Sequence, residues 1–235
     1  MNKILILTLL LFSVTKSFSQ DAFTAIENKN YDQLSELLKS PKNINIRGKN
    51  DMTPLLKAVG QNDLKAVKML VEAGADLSLV PKSNWTPLMV ACQSGSTEMA
   101  AYLIEKGADI NAKDEHNWNP IIIASRNGQA ATVALLLTKG VDVNCKAADK
   151  STPLLIASYK GHNDVIKLLL EKGADPNPVN RDSETALFLA AKQGRAEIVK
   201  LLLQHHADKT FINKDGVSIC NAAKSNGYKE ICDLL

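Results

Sequence analysis

The side chains able to do chemistry in this chain are few and scattered. The histidines are His116, His162, His205 and His206, and the cysteines are Cys92, Cys145, Cys220 and Cys232. Zinc sites favour Cys-x-x-Cys or His-Glu-x-x-His, spacings that bring ligands to one face of one element, and neither occurs. A glycine-rich phosphate loop and a Gly-x-Ser-x-Gly elbow are also missing. His205 and His206 are chain neighbours, so their rings point apart and a metal would need ligands from elsewhere. What remains is recognition chemistry: Trp85 and Trp118, 33 residues apart, with Arg126 and Tyr159 further on. Trp, Tyr and Arg are the types that most often anchor interfaces.

The elements that must position these residues are helical. Aromatic content is only 5% and leucine and alanine dominate, which suits thin helical layers better than a sandwich or barrel. The formal charge is +3, with basic and acidic residues interspersed. Phosphate binding needs a basic stripe, so nucleic acid is not an expected partner. Residues 1–19 have the layout of a secretory signal peptide: Lys3, an apolar run from Ile4 to Phe12, then Ser17-Phe18-Ser19 before Gln20. That run falls far short of the ~20 residues a spanning helix needs, so no membrane span is expected. The mature chain is expected to be a soluble monomer, exported to the periplasm or secreted.

The rest of the chain repeats. Thr53-Pro54-Leu55, Thr86-Pro87-Leu88, Asn119-Pro120-Ile121, Thr152-Pro153-Leu154, Thr185-Ala186-Leu187 and Ser218-Ile219-Cys220 follow one another at intervals of 33 residues. Asn62, Gly95, Gly128, Gly161, Gly194 and Gly227 keep the same register. So do Gly74-Ala75-Asp76, Gly107-Ala108-Asp109, Gly140-Val141-Asp142, Gly173-Ala174-Asp175 and His206-Ala207-Asp208. Thr, Ser or Asn caps a helix, and Pro at N1 loses no hydrogen bond there. The helix so begun, such as Pro87 to Ser94, ends at a Gly in left-handed geometry, a slot Asn62 can also fill. A second helix carries apolar residues at helical spacing, as in Ile166, Leu168, Leu169 and Leu170. Asp109, Asn111 and their counterparts can bond the backbone of the turn to the next cap. One such unit cannot bury its apolar face alone, so neighbours must stack.

These segments resemble ankyrin repeats, whose pattern runs Thr-Pro-Leu-His, Gly, Leu-Leu-Leu, Gly-Ala-Asp-Val-Asn. The resemblance implies an all-α solenoid of helix-turn-helix units joined by hairpin loops. Five full repeats cover 51–216, a degenerate N-terminal capping repeat covers 20–50 with a helix from Tyr31 to Lys39, and a truncated C-terminal capping repeat covers 217–235. The family histidine is replaced by Leu56, Met89, Ile122, Leu155, Phe188 and Asn221, so its bonds are expected to be made otherwise or exchanged for apolar packing between repeats. Repeat five lacks the Pro, at Ala186, and has His206 in the Gly slot, so fraying is expected from there onward.

The resemblance also implies a partner surface: the concave face, formed by hairpin tips and the ends of first helices. Its positions include Trp85, His116, Trp118, Arg126, Tyr159, Arg181 and Lys192 as partner-binding residues. The function expected is a non-catalytic protein-interaction scaffold with a protein partner, no cofactor and no metal. Alternatives are a protective or regulatory companion of an exported enzyme, and a metal-dependent or enzymatic role around His116. His162 follows a repeat Gly and is read as structural. Cys220 and Cys232 are read as small core hydrophobes, and all four cysteines as free thiols.

Overall fold

The structure is a computed structural model and describes residues 22–235. The signal-peptide reading of residues 1–19, and Gln20, lie outside the described residues.

Each Thr, Asn or Ser at a repeat start caps its helix as its type demands. The side-chain oxygens of Thr53, Asn119, Thr152 and Thr185 accept the amides of Leu56, Ile122, Leu155 and Phe188 at 3.1–3.3 Å. Ser218 does the same for Asn221 at 3.3 Å. Downstream, Asn62, Gly95, Gly128, Gly161 and Gly194 all have positive φ, and His206 takes φ 63° in the glycine slot of repeat five.

The chain divides into two compact units. The first comprises the residues up to 91 together with 98–109. It begins with a helical turn at 22–27, here α1, followed by α2 (Tyr31–Leu38), α3 (Pro54–Gly60) and α4 (Leu64–Glu72). Helix α4 packs on α3 and α2. The buried Asp63 caps α4 through Ala66 at 3.0 Å and accepts the Tyr31 hydroxyl at 3.2 Å. Helices α5 (Pro87–Ser94) and α6 (Thr97–Glu105) follow, and both cross the boundary between units.

The second unit comprises 92–97 and 110–235. Its complete helix pairs are α7 (Pro120–Arg126) with α8 (Ala130–Thr138), α9 (Pro153–Lys160) with α10 (Asn163–Glu171), and α11 (Ala186–Lys192) with α12 (Ala196–Gln204). Helix α13 (Ile219–Ser225) and a 3-10 turn at Lys229–Leu234 close it. The first helices stack in one layer, α7 on α9 on α11 on α13, and the second helices in another, α8 on α10 on α12. Ile122, Leu155 and Phe188, in the family's histidine slot, are at most 2% exposed, so apolar packing stands in for the histidine there, whereas the Met89 sulfur accepts the Thr86 amide at 3.5 Å and Asn221 is exposed. No strand occurs among the described residues, beyond one bridge between Ile212 and Ser218.

Repeats are also stitched across. Asn144 Oδ1 accepts the Asp175 amide at 2.9 Å, and Asn177 Oδ1 accepts the Asp208 amide at 2.8 Å. Each asparagine thus ties its own turn to the equivalent turn of the next repeat. His162 is structural, as its slot suggests: its Nε2 lies 2.9 Å from the Arg126 carbonyl one repeat back.

One expectation is overturned. Cys220 and Cys232 form a disulfide, with their Cα atoms 4.9 Å apart. The final segment winds as a 3-10 turn rather than an α-helix, and it presents Cys232 to α13 at a separation within the range a disulfide spans. Cys92 and Cys145 remain free.

Candidate functional site

The hairpins preceding α7, α11 and α13 are held by a side chain in one recurring slot. The buried Asp114 carboxylate accepts the amides of His116 and Trp118 at 2.9 and 2.8 Å. Asn180 accepts those of Asp182 and Glu184 at 3.0 and 2.9 Å, and Asn213 those of Asp215 and Val217 at 3.0 and 2.9 Å. A left-handed residue at Asn117, Ser183 or Gly216 completes each turn. Neighbouring tips are joined directly, from the Ala148 amide to the His116 carbonyl at 3.0 Å and from the Arg181 amide to the Asp149 carbonyl at 2.8 Å. The rigid tips fix whatever side chains they display.

Between these tips and the ends of the first helices runs an open groove of about 820 Å³ within the second unit. Trp118, Arg126, Tyr159 and Lys192 line it. The Arg126 guanidinium lies 4.8 Å from the Trp118 ring centre, a cation–π pair that holds both side chains in place. Tyr159 is 46% exposed, with the Lys160 ammonium 5.3 Å from its ring. Lys192 pairs with Glu184 at 2.9 Å, and the other Glu184 oxygen accepts from Asn180 at 3.2 Å.

The remaining expected positions are placed otherwise. His116 stands edge-on to Trp118, ring centres 6.4 Å apart, and 3.7 Å from Glu115, outside the groove lining. Arg181 contributes its backbone to the tip ladder rather than its side chain to the lining. Trp85 lies in the first unit, half-buried, directly before Thr86. Sequence reasoning missed the groove's far end, where Lys214, Asp215, Val217, Ser225 and Asn226 line it. The signal was available: adding 33 to Arg181, Asp182, Glu184, Lys192 and Gln193 lands on each of them. Treating 217–235 only as a cap hid it.

Among the described residues, no three His, Cys, Asp or Glu side chains converge as metal ligands do. No helix there is long and apolar enough to cross a membrane.

Comparison with known proteins agrees with this architecture. Family models for ankyrin repeats match residues 22–114, 116–148 and 154–203. A search of curated proteins returns no match. Among solved structures, the crystal structure of the human ASB11 ankyrin repeat domain is similar, with TM-score 0.81 and 27% identity over 91% of this chain and 96% of that one. With the repeat models spread along the chain and the stacked helix pairs they describe present in each unit, this protein belongs to the ankyrin-repeat family.

Proposed function

We propose that this protein is an exported, non-catalytic interaction module whose protein partner docks along the tip-and-helix-end face, centred on the groove of the second unit. Ankyrin repeats are protein–protein interaction scaffolds. The observation that carries the more specific reading is the Trp118–Arg126 pair opening onto the groove beside the exposed Tyr159. Such preorganised aromatic and Arg side chains are typical interface anchors. Export is supported by the signal-like layout of residues 1–19 and by the Cys220–Cys232 disulfide, a bond that persists in oxidising compartments. Intact-mass analysis of the exported protein should find a chain beginning at Gln20; a cytosolic species retaining Met1 counts against export.

The binding face is tested by replacing Trp118 and Tyr159 together with Ala. As interface anchors each should be worth about 2 kcal/mol of affinity. Proteins from the exporting compartment retained by the native chain should be lost from the variant, while its thermal melting stays close to native. Equal retention by a folded variant moves the binding face elsewhere.

A further inference from the structure

The two walls of the groove carry opposite charge in register with the repeat. One wall is formed by the last residues of the first helices: Arg126 ends α7, Lys160 ends α9 and Lys192 ends α11. The other is formed by the hairpin tips, where Asp149, Asp182 and Asp215 recur at intervals of 33. Lys214 also lines this wall and still leaves it net negative.

Local structure explains only part of this arrangement. Asp149 bonds Ser151 within its own turn, but the turns of Asp182 and Asp215 are already held by Asn180 and Asn213. Among the described residues, neither of these two carboxylates has a cation within 4 Å, and neither Arg126 nor Lys160 has a carboxylate. Cations at helix ends do complement the helix dipole, yet that effect is small at exposed positions. Lys192 shows what the helix-end wall accepts, since a carboxylate, Glu184, reaches it at 2.9 Å.

We propose that the groove takes an extended segment of a partner protein in which acidic and basic residues alternate. The proposal rests on the reading of this groove as the docking face. In an extended chain successive side chains point to opposite sides. Alternation therefore sends every acid toward Arg126 and Lys160, and every base toward Asp182 and Asp215. A segment with its acids and bases in separate blocks sends half of its charges to the wrong wall.

The test uses two labelled peptides of about twelve residues, long enough when extended to cross four repeats stacked ~10 Å apart. One alternates Glu and Lys; the other has the same composition as a Glu block followed by a Lys block. Fluorescence anisotropy on the native chain should show the alternating peptide binding at least ~tenfold tighter, with the preference fading in about 0.5 M salt. Reversing one wall with Arg126→Glu and Lys160→Glu should remove that binding. Adding Asp182→Lys and Asp215→Lys should restore it, because a one-residue slip again matches both walls. Helical circular dichroism checks each variant, and the two-peptide comparison on the native chain decides alone if a variant loses its fold.

Equal affinity for the two peptides, no binding of either, or failure of restoration in a folded variant overturns the proposal. If both peptides bind equally and the one-wall reversal abolishes both, alternation is refuted and the groove reading survives. If the one-wall reversal changes nothing, the peptide sits elsewhere, and the groove reading loses its support as well.

Discussion

At Cys92 the thiol is fully buried, and loss of solvation alone pushes its ionisation up to about 12. Cys145 is half-buried on the loop after α8, and burial pushes its thiol up to about 11 despite the Asn119 side chain 3.6 Å away. A thiolate is the species that reacts, so both should be inert in the folded protein. We expect alkylation near pH 8 to proceed roughly a hundredfold more slowly at Cys145 and roughly a thousandfold more slowly at Cys92 than at an ordinary thiol. Denatured without reductant, the chain should show only the Cys92 and Cys145 thiols; with reductant Cys220 and Cys232 should join them. Mass spectrometry of the alkylated peptides checks both statements. A reactive Cys220 before reduction would mean that the disulfide is not formed.

At the scale of elements, the glycines that end α7, α9 and α11 (Gly128, Gly161 and Gly194) do two jobs. Gly128 has φ 72°, and a Cβ placed on it would meet the His162 ring, with Nδ1 at 2.7 Å. Gly107, which ends a second helix, has φ 92° and nothing within 4 Å of such a Cβ. Both positions carry the left-handed penalty for an L-residue, but only one carries the close approach. Gly107→Ala should therefore cost about 1 kcal/mol. Gly128→Ala should cost roughly 1 kcal/mol more, because His162 must move and give up its bond to the Arg126 carbonyl. Urea unfolding of the two variants measures the difference. Equal costs would show that the His162 contact relaxes freely.

For the molecule as a whole, stacked repeats share stability only with their neighbours, so the ends are the weak points. The C-terminal end is also the end of the groove: α13 carries Cys220 and the groove-lining Ala222 and Ser225, and its C-cap Asn226 lines the groove too. Closing a loop of this size is worth about 3 kcal/mol. Cys232→Ser, or reduction, should lower the melting temperature. Amide exchange should rise first in α13 and residues 229–234, fading toward α9. The fraying expected from repeat five onward should thus be a property of the reduced chain. Identical exchange in oxidised and reduced protein would show that apolar packing alone holds this end.

What the sequence determined by itself was whatever depends on contacts a few residues apart. Thr53, Asn119, Thr152 and Ser218 announce helix starts because a side-chain oxygen three residues back can satisfy a helix amide. Gly128 and Asn62 mark left-handed turns because of backbone sterics at that one position. The period of 33 then dictates stacking, since no unit can bury its apolar face alone. Trp118, Arg126, Tyr159 and Lys192 were legible as face positions through the resemblance to ankyrin repeats, which implies which slots of the unit meet a partner. Tertiary structure alone decided which atoms meet between repeats. His162 reaching the Arg126 carbonyl and Asn144 reaching the Asp175 amide depend on how closely successive helix pairs pack, and the Cys220–Cys232 bond on how the final 3-10 turn lies against α13. The groove's extension to Lys214 and Asp215 depends on the last unit keeping the stack's register. Packing distance is set by the combined volumes of many apolar side chains, and no local motif encodes it.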